Sequence, residues 1–143
     1  MNEEGDMSEV EAVYAVEDNV SVGEFRSLLI DSGLGVRRPV DDVARLESML
    51  RNANFIITAR VDGVLVGIAR SVTDFVFCCY LSDLAVSKHV QGRRIGAQLI
   101  EETRKHMGPT VSVILSSVPE SVGFYESINM QPLPNGFWFR RER

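Results

Sequence analysis

No apolar run in these 143 residues approaches the roughly 20 needed to cross a bilayer, and the acidic start from Met1 to Asp6 has no apolar segment of the secretory kind. The expectation is a cytoplasmic chain with no membrane partner. Cysteine is scarce: Cys78 and Cys79 are the two present. Neighbours in a strand point their side chains to opposite faces, so these two do not easily bridge each other and are expected to be reduced, buried small hydrophobes. Histidine is equally rare: His89 has no second histidine or carboxylate at ligand spacing with it, both His89 and His106 are expected to be surface residues, and no metal is expected. Positive charge is in deficit. Fifteen Lys and Arg against twenty Asp and Glu leave a net charge of -5, which argues against a general nucleic-acid binder. There is no internal repeat and no linker-like composition, so a chain of this length is expected to form one domain, residues 1–143, frayed over 1–11.

What is present is the composition of a soluble globular protein, 45% hydrophobic and 24% charged. Ala12 to Val16 has the content of an edge strand. Ser21 with Glu24 three residues later forms a capping box ahead of Phe25, Leu28 and Leu29 on one helical face, and Gly33 and Gly35 end that helix. Pro39 and Asp41 open a second helix with a Val43, Leu46, Leu50 stripe running to about Asn52. Phe55–Arg60 and Val64–Arg70 read as strands joined by an Asp62-Gly63 hairpin turn. Phe75–Val86 reads as a longer strand after a turn at Thr73-Asp74. A helix follows with Gly96, Leu99, Ile100, Thr103 and Met107 along one side, and Gly108-Pro109 stops it. Val111–Leu115 reads as a buried strand, parallel to its predecessor because a helix separates them. Ser117 with Glu120 offers another capping box for a helix of about ten residues, Asn129 a left-handed cap, and Phe137-Trp138-Phe139 a closing strand.

The stretch Leu81–Ile100 organises the rest. An apolar strand enters a short turn rich in glycine and arginine, and a helix starts at once, so several unpaired N–H groups and the positive end of a helix dipole converge on one spot. Arg93, Arg94, Arg104 and Lys105 add a local basic cluster to an acidic chain. That is an anion site suited to a phosphate-bearing ligand. It is neither a Walker A loop nor a dinucleotide fingerprint with a later ribose-binding acid.

With Leu84-Ala85-Val86 leading into Gln91-Gly92-Arg93-Arg94-Ile95-Gly96-Ala97, the stretch resembles the acetyl-CoA-binding core of the GCN5-related N-acetyltransferase (GNAT) superfamily, whose pattern is Gln/Arg-x-x-Gly-x-Gly/Ala. Arg94 stands where the pattern has its first glycine, and is expected to take helical dihedrals and turn its side chain aside, toward a phosphate. Phe124-Tyr125-Glu126-Ser127-Ile128-Asn129-Met130 resembles the family's second segment, with Asn129 and Met130 replacing glycine and phenylalanine. The element order β-α-α-β-β-β-α-β-α-β is similar to the GNAT layout over nearly the whole chain. The resemblance implies an α/β (α+β) fold: a central mixed, mostly antiparallel twisted sheet with one parallel strand pair at the cofactor cleft, flanked by about four helices.

The resemblance also implies roles. Gln91, Gly92, Arg93, Arg94, Ile95, Gly96 and Ala97 would hold the pyrophosphate of acetyl-CoA. The backbone of Leu84, Ala85 and Val86, in a strand splayed from its parallel neighbour, would bond the pantetheine arm and stabilise the oxyanion. Ser117 lies where relatives contact pantetheine, while Val118 replaces an asparagine common in the family. Tyr125 would protonate the leaving thiolate, a task that suits a phenol because its pKa is near a thiol's; otherwise it is a half-buried tyrosine on an amphipathic helix. Asp83 either takes a proton from, or holds, an ammonium substrate, or is a salt-bridged structural residue. The loop Gly33–Arg38 would line the acceptor side, with Arg37 and Arg38 serving substrate or solvated as loop charges. The reading is an N-acetyltransferase that moves acetyl from acetyl-CoA, as cosubstrate and without metal, directly to a primary amine of a small molecule or peptide. The acidic total suits a cationic acceptor. Two other readings stand beside it: a non-catalytic acyl-CoA-binding sensor, and a nucleotide-binding protein of another family. A homodimer through the Phe137-Trp138-Phe139 edge is a further expectation.

Overall fold

A computed structural model describes residues 11–143; but for Glu11, the segment expected to fray lies outside the described residues. The elements are β1 (Val13–Val16), α1 (Val22–Ser32), α2 (Val43–Asn52), β2 (Phe55–Val61), β3 (Val64–Thr73), β4 (Cys78–Val86), α3 (Ile95–Met107), β5 (Ser112–Ile114) and α4 (Val122–Ser127), with short 3-10 turns at Leu34–Arg37, Lys88–Val90 and Pro119–Ser121. The strands form one sheet in the order β1-β2-β3-β4-β5. The first three pairings are antiparallel and β4 with β5 is parallel, the mixed sheet that the sequence implies.

Local chemistry accounts for most boundaries. The capping box at α1 forms: the Glu24 amide donates to Ser21 Oγ at 3.2 Å and the Ser21 amide to Glu24 Oε2 at 2.9 Å. Helix α2 starts later than Pro39 and Asp41 suggest, at Asp42, whose carboxylate accepts the Arg45 amide at 3.1 Å. Asp62 and Gly63 both take positive φ, 51° and 80°, as the right-handed twist of a tight hairpin requires.

The sheet separates two apolar layers. On one face Ile57, Ala59, Ala69, Cys79 and Leu81 meet Ile95, Leu99, Ile100 and Met107 of α3. On the other, Ile56, Ile68 and Ala85 meet Phe25, Leu28 and Leu29 of α1 and Leu46 and Leu50 of α2. A close approach fixes the first layer: a Cβ on Gly67 would stand 3.0 Å from Leu99 Cδ1, 3.1 Å from Ile95 Cγ2 and 3.3 Å from Ala59 Cβ. Strand β4 changes face along its length. Cys79 and Leu81 point to the α3 layer, yet Ala85 points to the α1/α2 layer. Strict alternation would put 81, 83 and 85 together, and a bulge intervenes: Arg70 faces Asp83 but Ser71 faces Leu81, leaving Ser82 as the extra residue.

Several expectations are corrected. Strand β4 begins at Cys78 rather than Phe75, because Asp74 Oδ1 accepts the amides of Val76, Phe77 and Cys78 at 2.9, 2.8 and 3.1 Å and holds those residues in a turn. Those bonds also keep the Asp74 carboxyl below its usual pKa. Both cysteines are free, but only Cys79 is buried; Cys78 takes the opposite, exposed side of the strand. Helix α4 has six residues, not ten, and the second capping box is absent, since Ser117 Oγ donates to the Val118 carbonyl at 2.7 Å. Strand β5 is only partly buried, and Phe137-Trp138-Phe139 is no strand but an exposed segment. A three-residue β5 offers too few ladder bonds to offset the entropy of ordering a further strand along it.

Candidate active site

The site is built where β4 outruns β5. Their parallel pairing covers Cys78↔Ser112, Cys79↔Val113 and Tyr80↔Ile114, and there β5 ends while β4 continues to Val86. Among the described residues, β4 from Leu81 onward is paired with β3 alone. The Ser87 amide donates to the Val66 carbonyl at 2.8 Å, which sets the phase of that antiparallel ladder. Bonded and non-bonded pairs alternate, so the main-chain groups of Asp83 and Ala85 turn to β3 and those of Leu84 and Val86 turn to the open side. Ala85 is thereby set apart from the other two: its backbone faces β3 and its side chain is buried under α1 and α2. The Val86 carbonyl is taken by Gln91 Nε2 at 3.0 Å, which ties the turn to the end of the strand and leaves the Val86 N–H facing the gap.

Beyond Gln91 the chain turns through two left-handed residues, Gly92 at φ 84° and Arg94 at φ 63°, ψ 17°. Arg94 does not take the helical dihedrals expected of it: it caps α3 from outside in the left-handed region, which costs a residue with a Cβ roughly 1–2 kcal/mol. Glycine avoids that cost, which accounts for its place in the pattern. Helix α3 then presents the first-turn amides of Ile95, Gly96 and Ala97, which have no acceptor within the helix. Ile95 itself is buried against the sheet, so it contributes backbone only. Gly96 admits α4: a Cβ there would lie 3.2 Å from Phe124 Cζ. The exposed arginines Arg93 and Arg94 flank this end of the helix.

One groove runs between α3, β5 and α4 and is lined by Arg94, Ala97, Gln98, Ser117 and Tyr125 among others. It brings together one part of the residues singled out from the sequence. Tyr125 is half-buried, its ring edge-on to Phe124 at 5.0 Å between centroids. Burial pushes its phenol above the usual pKa of 10.0, against a smaller opposing pull from the positive charge of Arg38. The phenol therefore keeps its proton at physiological pH. Cys79 is a poor nucleophile for the same reason, burial raising its thiol.

Asp83 is not in the groove. Its side chain is fully buried, and its two oxygens are taken by two arginines, Oδ1 by Arg38 Nε at 2.5 Å and Oδ2 by Arg70 Nε. Arg70 also donates to the Met49 carbonyl at 3.1 Å and to Ser82 Oγ at 3.1 Å, and Arg38 donates to the bulged Ser82 carbonyl at 3.0 Å and the Arg37 carbonyl at 2.9 Å. A carboxylate so enclosed has no free face for an ammonium ion. Arg37 reaches Glu120 at 3.4 Å. Arg70 escaped the sequence reading, though a signal was there: a cation that directly continues the apolar run Val64–Ala69 within one strand needs a buried partner. Among the described residues, no group of three or more His, Cys, Asp or Glu could hold a metal ion, and no helix is long and apolar enough to cross a membrane.

The family model of the Acetyltransferase (GNAT) domain matches residues 32–130. The chain belongs to the GNAT superfamily and is an acyltransferase; enzymes of this family use acetyl-CoA and act on amine acceptors. It is 29% identical over 135 residues, covering 86% of this chain and 74% of the relative, to an uncharacterized N-acetyltransferase, ycf52, of Pyropia yezoensis. Its fold matches a GNAT family acetyltransferase of Streptococcus pneumoniae with a TM-score of 0.73 at 22% identity, over 92% of this chain and 99% of that one. It also matches the aminoglycoside N-acetyltransferase AAC(6')-Iy in complex with CoA, with a TM-score of 0.64 at 16% identity over 92% and 97% of the two chains.

Proposed function

We propose that this protein is a single-domain N-acetyltransferase that moves the acetyl group of acetyl-CoA directly to a primary amine of a small molecule or peptide. The observation that carries the reading is the gap beside β4, with the amides of Leu84 and Val86 facing it, the N-terminus of α3 at one end and Tyr125 in the adjoining groove. The amides of Ile95 to Ala97, with Gly92 leaving the turn open, hold the pyrophosphate, and Arg93 and Arg94 meet the nucleotide phosphates. Leu84 and Val86 bond the pantetheine arm as an added strand would, and one of their N–H groups donates to the carbonyl oxygen as it gains negative charge. Ser117 borders the same arm from the other wall. The amine lone pair attacks the thioester carbon, the C–S bond breaks, and Tyr125 gives its proton to the departing sulfur. The proton lost by the amine goes to water, because Asp83 is enclosed; Asp83 acts as the anchor of Arg38 and Arg70 rather than as a base.

Isothermal titration with acetyl-CoA, CoA and ATP, followed by a thiol-release assay on a panel of primary amines, tests this. Micromolar binding of acetyl-CoA in preference to ATP, with amine-dependent thiol release, is the expected result. Binding with no release on any amine would leave an acyl-CoA-binding module, and a preference for ATP would overturn the reading.

A further inference from the structure

On the acceptor side of β4 the charges do not cancel. Two guanidiniums, Arg38 and Arg70, share the single carboxylate of Asp83. Arg70 is buried and donates to the Asp83 carboxylate, the Met49 carbonyl and Ser82 Oγ, all of them protein groups. Arg38 keeps 22% of its side chain exposed, so the surplus positive charge of the cluster meets solvent there. Other charged groups of this region have partners of their own: Arg37 pairs with Glu120, and Asp31 takes the Ser87 hydroxyl and faces His89 at 3.6 Å, with Lys88 lying over Gly33. Arg38 is also rigid. Nε, Nη1 and Nη2 each donate one bond to the protein, which uses three of its five N–H groups and, among the described residues, leaves two without a partner in a fixed plane. Such a fork is preorganised for a carboxylate or a phosphoryl group.

Its position gives the scale. Arg38 is tied to the carbonyl of Ser82, two residues before the open amide of Leu84. Two residues of strand span roughly 7 Å. A group held by Arg38 is therefore a few bonds away from an amine poised at the gap.

Building on the acetyl transfer proposed above, we infer that the acceptor is an amine bearing an anionic group a few atoms from its nitrogen, an amino acid or a short peptide carboxylate, and that Arg38 binds that anion. The cationic acceptor suggested by the chain's net charge is the opposite choice: a polyamine would bring a second positive charge to a cluster already in surplus, and no free carboxylate of Asp83 receives it.

The test uses matched pairs differing only in the anion: β-alanine with n-propylamine, phenylalanine with phenethylamine, and glycylglycine with glycylglycinamide. The protein should show a kcat/KM at least tenfold higher for the carboxylate member of at least one pair. In Arg38→Gln that ratio should fall to about one, and any general loss of rate cancels in the ratio. Arg38→Lys, which keeps the charge and loses the fork, should retain only part of the preference. A binding readout independent of turnover is titration of the CoA-loaded protein with N-acetyl-β-alanine and N-acetylpropylamine, where the first should bind at least tenfold more tightly. Equal or reversed preference within every pair, or a ratio unchanged in Arg38→Gln, overturns the inference while leaving the transferase reading intact. Failure to bind acetyl-CoA or CoA would instead sink the transferase reading and this inference with it.

Discussion

Two single residues carry the sharpest expectations. In the proposed transfer Tyr125 is the proton donor, and burial raises its phenol pKa, so Tyr125→Phe should lower kcat by about 100-fold while leaving the KM for acetyl-CoA within a few-fold. The variant keeps the ring contact with Phe124, and an unchanged thermal midpoint would confirm that chemistry rather than folding was lost. A kcat unaffected by the change would remove Tyr125 from the mechanism. Arg94 makes a different kind of case, because backbone and side chain pull in opposite directions. Glycine would relieve the left-handed strain, so Arg94→Gly should raise stability by about 0.5–1 kcal/mol in urea unfolding. Loss of the guanidinium beside the α3 N-terminus should at the same time weaken CoA binding, most clearly at low salt. Isothermal titration at two ionic strengths checks this; a variant that binds CoA as well as the parent would show that Arg94 serves the turn alone.

At the scale of elements, what was legible had local causes. The Ser21–Glu24 box, the Asp62-Gly63 hairpin, the stripe of α3 and the left-handed Asn129 are all decided within a few residues, and each is found where the sequence puts it. What escaped depends on contacts between distant parts of the chain. The bulge at Ser82 is invisible in the period-two pattern of β4, yet it turns Asp83 away from the α3 layer and presents the Ser82 carbonyl to Arg38. The enclosure of Asp83 draws on α2, β3, β4 and the loop after α1, and no spacing within one element announces it. Close approaches between elements are of the same kind. Gly67→Val should cost about 1–3 kcal/mol, because the added carbons meet Ala59, Ile95 and Leu99 where α3 lies on the sheet and the Ala59 Cβ has no torsion by which to yield. Gly96→Val should displace α4 through Phe124, so acetyl-CoA binding should suffer more than the thermal midpoint. Equal stability of Gly67→Val and the parent in urea would contradict the packing described for this layer.

For the whole molecule, the order of elements up to α4 was readable because hydrophobic periodicity and turn residues punctuate it, whereas the closing strand was not, since aromatic content alone does not supply a ladder partner. The response of the molecule to acid follows from another long-range set of contacts. Arg60 of β2 joins Glu17, which follows β1, to Glu24 of α1: Nε donates to Glu17 Oε2 at 2.8 Å and Nη1 to Glu24 Oε1 at 2.8 Å. The hydrogen bonds from Arg60 hold both carboxyls below their usual range. A carboxyl whose pKa is lower folded than unfolded contributes stability that is present above the unfolded value, near 4.5, and is lost as pH falls through the folded value. These side chains are partly solvated, so the network is worth on the order of 1 kcal/mol. In Arg60→Met the two carboxylates lose their partner, and stability at pH 7 should fall by about that amount. The difference between parent and variant should shrink as pH drops from about 4.5 toward 3, because protonation removes from the parent what the substitution has already removed. Urea midpoints measured across that range decide it, and a gap that stays constant or widens in acid would show that Arg60 stabilises the fold through packing and not through its two carboxylates.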